Sequence, residues 1–267
     1  MRRLITGLFI VAMVATACGK GGSNSNATLQ HLDQTGFISQ VAAKSVSQKT
    51  AKIAMTETVT PPSGAAASPV TITADGEMDM AKKLLGFKMN FPAAMGISGS
   101  IEMVMAGTTM YMQMPAAIRA EAGLTKAWIG MKLDKLAGSA LGGASFTDPS
   151  SVLQALQAIA SSVDKVGTAT VRGVKTTKYD VTLDMTKVAS KVPAFARKAV
   201  SQLTFDHMFV YVGDDSLVRR EEFSASVSGV SVTTQIDLYD YGLPVSVSVP
   251  PASQVEFKSL QDLLSGK

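Results

Sequence analysis

The sequence predicts an α+β protein dominated by one large curved antiparallel sheet of about eleven or twelve strands. Three observations carry that expectation. Apolar residues alternate with a period of two over many short segments, the spacing of strands with one buried face. Helical periodicity is confined to a few stretches, so few helices are left to cover the strands. The 267 residues are 46% hydrophobic and only 17% charged, which supplies a substantial core and rules out global disorder. A sheet of that size either closes or wraps its helices and leaves a cavity between them.

Residues 1–17 stand outside this fold. Met1-Arg2-Arg3 is basic, and Leu4 to Thr16 is an apolar run too short to span a bilayer as a stable helix. Small residues, Ala15-Thr16-Ala17, then precede Cys18, which makes this a secretory signal with its cleavage site. Cys18 is the single cysteine of the chain, so a disulfide framework and a Cys-cluster zinc site are both excluded. Its place directly after the cut resembles a bacterial lipid-attachment signal, in which the cysteine is diacylated and becomes the new N-terminus. Such signals prefer Leu or Val where Ala15 stands, and Ala-x-Ala also suits ordinary signal peptidase, so a freely secreted form stays open. Removing Arg2 and Arg3 takes 25 basic residues to 23 against 21 acidic ones, a net charge of +2 instead of +4. No run of Lys and Arg interleaved with aromatics remains, and nucleic acid is not an expected partner.

Residues 18–36 form a lipidated tether, rich in Gly, Ser, Asn and Gln, with an r.m.s. span on the order of 20–25 Å. A single domain then occupies 37–267. It opens with a short amphipathic helix through Phe37, Ile38, Val41, Ala42, Ser45 and Val46. Strands follow through Ile53 to Val59, Val70 to Met80, Leu85 to Phe91, Ile101 to Met105, Met110 to Met114, and Trp128 to Leu133. Asp148-Pro149 is a helix start, an N-cap acid before Pro, and Val152, Leu153, Leu156, Ile159 and Ala160 give that helix its apolar stripe. Strands resume at Thr168 to Arg172 and Val174 to Leu183, turning at Arg172-Gly173. Asp184 to Gln202 reads as helix interrupted by Pro193. Phe205 to Val212, Leu217 to Val227 and Val230 to Leu238 form a final meander, with turns at Gly213 to Ser216 and Ser228-Gly229. An extended piece, Val245 to Val249, and a helical turn at Leu260 to Leu264 end the chain.

The order of these features resembles the actinobacterial LppX/LprG-type lipoproteins of the wider LolA-like group. The matching features are Cys18 with its tether, Ile53-Ala54-Met55-Thr56-Glu57, Met110-Tyr111-Met112-Gln113-Met114-Pro115, Lys126-Ala127-Trp128-Ile129 and Asp148-Pro149. Val166-Gly167-Thr168, Val171-Arg172-Gly173-Val174, Lys178-Tyr179-Asp180-Val181, Val249-Pro250-Pro251 and Leu260 to Leu264 complete the series. The resemblance covers about residues 35–265. It implies a half-open β-barrel wrapping helices around an apolar cavity that carries acyl chains or lipidated molecules.

Methionine marks the candidate site. Nine of the fifteen Met lie between Met78 and Met114. With Ala106 to Thr109 as a two-residue hairpin turn, the register pairs Met105 with Met110, Met103 with Met112 and Ile101 with Met114, all on one face. The expected cavity comprises these six with Met78, Met80, Leu85, Phe87, Met89 and Phe91, and Val152, Leu156 and Ile159 on the helix. Met is flexible and polarizable, so such a wall can repack around varied ligands; the same stripe could equally be ordinary core under a helix. Thioethers also suit Cu(I), but these Met lie on a dry face and neither His31 nor His207 is placed to help, so no metal is expected.

Nothing in the sequence supplies catalysis. His207 shares its strand face with Phe205, Phe209 and Tyr211, while its neighbour Asp206 points the other way. There is no Gly-x-Ser-x-Gly elbow, P-loop or dinucleotide fingerprint, and no cofactor is expected. Arg219 and Glu221 face one way and Arg220 and Glu222 the other; a cation there, or at Lys82-Lys83, could meet an anionic head group. The expected function is a monomeric, non-enzymatic lipoprotein held on the extracytoplasmic face of the cell membrane. It would bind and carry a lipid or glycolipid, with an envelope transporter, the cell wall and an outer layer all open as its destination. The competing reading is a non-catalytic sensor or scaffold domain that binds another envelope protein.

Overall fold

A computed structural model of the chain describes residues 34–65, 67–95, 99–121, 123–132, 160–187 and 203–258. Among these, helix α1 (Gln34–Ser47) precedes β1 (Thr50–Thr60), β2 (Val70–Asp79), β3 (Leu84–Asn90), β4 (Ser100–Ala106) and β5 (Thr109–Gln113). Helix α2 (Ala116–Glu121) leads to β6 (Trp128–Lys132), and β7 (Ala160–Val171), β8 (Val174–Leu183), β9 (Leu203–Gly213), β10 (Val218–Val227), β11 (Val230–Tyr239) and β12 (Val255–Phe257) follow. All twelve strands belong to one sheet in the order β12-β6-β5-β4-β3-β2-β1-β11-β10-β9-β8-β7. It is two antiparallel meanders, β1 to β6 and β7 to β11, joined where β1 pairs with β11 from Lys52↔Tyr239 to Thr60↔Ser231.

The sheet is open, with β7 and β12 at its edges, and it is not strongly curled. That corrects the expected strong curvature, and the ladders give a reason. Bulges bend and twist strands, yet β1 to β6 pair without a register shift, and shifts occur only in the β9–β10 and β7–β8 pairs. A second correction concerns direction. β12 runs parallel to β6, with Val255 opposite Trp128.

Local chemistry sets the connections. Arg172 and Gly173 both take positive φ, 47° and 80°, as do Ser228 and Gly229 at 52° and 80°. Two central residues of that kind make the mirror-image turn whose twist matches a hairpin. Gly107, with φ 60°, opens the β4–β5 turn, and Ala106 lies opposite Thr109. Helix α1 buries Phe37 and Val41, one turn apart, against Tyr179 and Val212, and the Phe37 and Tyr179 rings stand 4.3 Å apart. It stops at Ser47, and Lys49, with a left-handed φ of 67°, turns the chain into β1.

One stretch differs from the sequence expectation, and two others gain detail. Ala160, expected at the end of a helix, begins β7, which starts eight residues before Thr168; residues 148–159 lie outside the described residues. Val166 has no partner between Lys165↔Tyr179 and Gly167↔Lys178 and is half exposed, so the alternation that would mark this edge strand is broken. The extended piece at 244–250 joins no strand. It is pinned instead by Ser246, whose N–H and hydroxyl both donate to Glu77 Oε2 at 2.6 and 2.9 Å. Val247 then lies close over Gly86, where a Cβ would meet its Cγ2 at 2.8 Å. Asp184 caps a helical turn at 185–187 by accepting the Thr186 and Lys187 N–H groups, while the remainder of that expected helix and the one at Leu260 to Leu264 lie outside the described residues.

Candidate ligand face

The candidate face is built one strand at a time by register. β2 places Ala74, Gly76 and Met78 opposite Met89, Phe87 and Leu85 of β3. Those three oppose Ile101, Met103 and Met105 of β4. Met103 then pairs with Met112 and Met105 with Met110 on β5, and these meet Ile129 and Met131 of β6. Side chains two apart share a side of the sheet, so five strands contribute to a single apolar surface without a titratable group. The ladder ends at Glu102↔Gln113, so Met114 lies just past the strand and the Ile101–Met114 pair is not formed within it.

All twelve sheet residues expected at the site are described, and the structure brings them together in two touching groups. Ile101, Met105, Met110 and Met112 form a buried cluster with Ile129 and Met131, and Leu85, Met89, Phe91, Met103 and Met114 pack against it. Met78 and Met80 belong to the adjoining cluster with Ile53, Met55 and Ala74, against which Leu85, Phe87 and Met89 also pack. Cys18, Val152, Leu156 and Ile159 lie outside the described residues. Sequence reasoning left Ile129 and Met131 out of the site, although their alternation along the expected strand at Trp128 was the signal.

Beyond the seam the same side of the sheet turns partly polar. Glu57 on β1 is buried, with Thr234 Oγ1 donating to its Oε2 at 3.4 Å. Burial pushes its carboxyl above the usual range, and the Thr234 bond only partly opposes this. Glu221 on β10 stands opposite Ile236 and Val210, and its buried Oε2 has no hydrogen-bond partner. Burial alone pushes this carboxyl up to about 7. Glu57 occupies the apolar parity of Ile53 and Met55, which was its legible signal.

The opposite side of the second meander carries a polar network. Asp237, buried, accepts Arg220 Nε at 2.6 Å and Arg172 Nε at 3.1 Å. Tyr211 Oη donates to Glu222 Oε2 at 2.5 Å, and burial first, then this bond, drives the phenol well above its ordinary range. Arg220 and Glu222 share that side as expected, 3.8 Å apart. Arg219, however, sits at a bulge between Val218↔Val212 and Arg220↔Tyr211. A second bulge, between Ser224↔His207 and Ala225↔Phe205, moves Phe205 off the His207 side and into the core. His207 keeps Phe209 beside it, with the rings 4.5 Å apart. Lys82 is committed to Asp79, 3.1 Å from its Oδ2. Burial works against the Asp79 carboxylate, and bonds from Lys82 and from the Ala81 N–H outweigh it, holding it below its usual range.

Among the described residues no group of His, Cys, Asp and Glu could hold a metal ion, and no helix is long and apolar enough to cross a membrane. No protein-family model and no curated protein matches the sequence. Solved structures do. Lipoprotein LppX of Mycobacterium tuberculosis is 13% identical with a TM-score of 0.47, over 80% of this chain and 100% of that one. LprF of Mycobacterium bovis is 14% identical with a TM-score of 0.39, over 82% and 98%. A LolA-superfamily protein of Nitrosomonas europaea is 9% identical with a TM-score of 0.31, over 81% and 96%.

Proposed function

We propose that this chain is a non-catalytic lipid carrier of the cell envelope, anchored through acylated Cys18, whose methionine face receives acyl chains. One observation carries the reading: from β2 to β6 a continuous side of the sheet is apolar, rich in Met and free of titratable groups. Such a surface offers a chain-shaped ligand dispersion contacts and no specific bonds. Burial at about 25 cal/mol per Å² of apolar area would supply the affinity. Thioether side chains, with three rotatable bonds each, would accommodate chains of different length and unsaturation. The ligand would lie between this face and the chain segments that cover it, with Val152, Leu156 and Ile159 on the far wall. No bond is made or broken in this role. Delivery would pass the lipid to an envelope transporter, with the tether setting the reach from the membrane.

Native mass spectrometry of the protein purified from its own host tests this reading. A carrier retains an acylated species that dissociates on activation. A clean apo mass under conditions that preserve other lipid complexes would favour a scaffold that binds an envelope protein instead.

A further inference from the structure

At one end of the sheet, the β7–β8 turn, the start of β10 and the end of β11 frame a half-open pocket of about 410 Å³. Val171, Val174 and Leu238 give it apolar walls, and Leu238 is also part of the apolar cluster that holds Met55, Ala74 and Met78. Arg172 and Arg219 line it as well. Arg172 lies over the Tyr239 ring, 4.0 Å from its centroid, and bonds Asp237 through Nε alone. A guanidinium carries five donors, so its Nη groups remain for another acceptor. Arg219 is tied to Asp215 through Nη2, and its buried Nε has no partner. Asp240, the acid in the wall, is answered by Lys52 at 3.0 Å. Two positioned guanidinium groups, one with free Nη donors, beside an apolar wall continuous with the core suit an oxygen-rich anion on an apolar stem.

We propose that this pocket binds the anionic head of an amphipathic ligand, a phosphate ester or carboxylate, through Arg172 and Arg219. The inference rests on the carrier reading only in taking an acyl lipid as the source of the anion; a free phosphate offers the same chemistry. The volume lies at the lower end of small-molecule sites, room for a head group and the first part of its chains.

The test uses the full chain with three probes: a fluorescent-acyl phosphatidic acid, diacylglycerol with the same chains, and inorganic phosphate followed by calorimetry. The expected result is at least tenfold tighter binding of phosphatidic acid than of diacylglycerol. Arg172→Gln and Arg219→Gln should each remove most of that preference and leave diacylglycerol binding unchanged. Should Arg219→Gln fail to fold, Arg172→Gln decides, since that side chain is 43% exposed. Arginine-dependent phosphate binding without binding of either lipid would keep the pocket and sink the carrier reading. Equal binding of the two lipids, untouched by both substitutions and without phosphate binding, would overturn the pocket and leave the carrier standing. Binding of none of the three would overturn both.

Discussion

From β2 to β6 the buried side of the sheet is carried by Ile101, Met78, Met105, Met110, Met112 and Met131, whereas from β8 to β11 it holds Tyr179, Val212, Phe223, Thr234 and the unpartnered Glu221. Behind the second meander Asp237 is gripped by two arginines and Tyr211 by Glu222. Directional bonds fix the second half in one arrangement, and helix α1 packs on it through Phe37 and Val41. The first half has directional bonds too, from Ser246 to Glu77 and from Lys82 to Asp79, but its buried side is held by side chains that can change rotamer at little cost. One sheet thus joins a pinned half to an adaptable half, the division a carrier needs if its ligand is to be accommodated without loss of fold.

The largest expected effect lies in the pinned half. Asp237→Ala leaves Arg220 and Arg172 without their shared acceptor and should cost about 3 kcal/mol, read from urea unfolding. Met110→Leu, as buried on the adaptable side, should cost under about 1.5 kcal/mol. Equal costs would erase the contrast between the halves.

Next comes pH. The Glu221 carboxyl, at about 7 when folded against an ordinary value of 4.5, keeps a proton that the unfolded chain has lost. Its contribution to stability is therefore full below about pH 4.5, declines as pH rises through 7, and stays lost above that. Glu221→Gln should flatten this decline and gain about 1–3 kcal/mol at pH 8. An unchanged slope in the variant would place Glu221 in contact with water.

A smaller effect is expected at Met103, which is partly buried opposite Met112. Met103→Trp should cost under roughly 1 kcal/mol if it fills ligand space, while lipid loading falls. In a filled core the same change costs about 1–3 kcal/mol through overpacking and leaves loading as it was. The smallest effect on the fold belongs to Cys18→Ser, which should release the protein from membranes without moving its thermal midpoint; retention in the membrane fraction would refute the anchor.

Much of the adaptable half was legible because nothing interrupts its parity. Gly107 sets a two-residue turn, and the Met103–Met112 and Met105–Met110 pairs follow from it. The pinned half was less legible because each bulge shifts parity by one. Phe205 was therefore assigned to the wrong side, and Arg219 to an ordinary strand position. Ala160 to Gly167 mixes Ser, Asp, Lys and Gly on an edge, a composition that fits either period poorly. β12 has three residues and pairs in parallel with a strand more than a hundred residues earlier, which no local pattern announces. The site residues on the sheet followed from alternation, whereas the Arg172–Asp237–Arg220 network depends on contacts between two strands and the β7–β8 turn.

The most direct test of the central claim is methyl NMR on the full chain labelled at methionine Cε, with signals assigned by single Met→Leu variants. A fatty acid bearing a nitroxide on its acyl chain broadens nearby methyl signals. If the adaptable half receives acyl chains, Met103, Met105, Met110 and Met112 broaden at low molar ratios, while Met208, buried opposite Phe223 in the other half, keeps its intensity. Broadening confined to Met208, or none at all with bound lipid confirmed by mass, would contradict the assignment of the methionine face as the ligand surface.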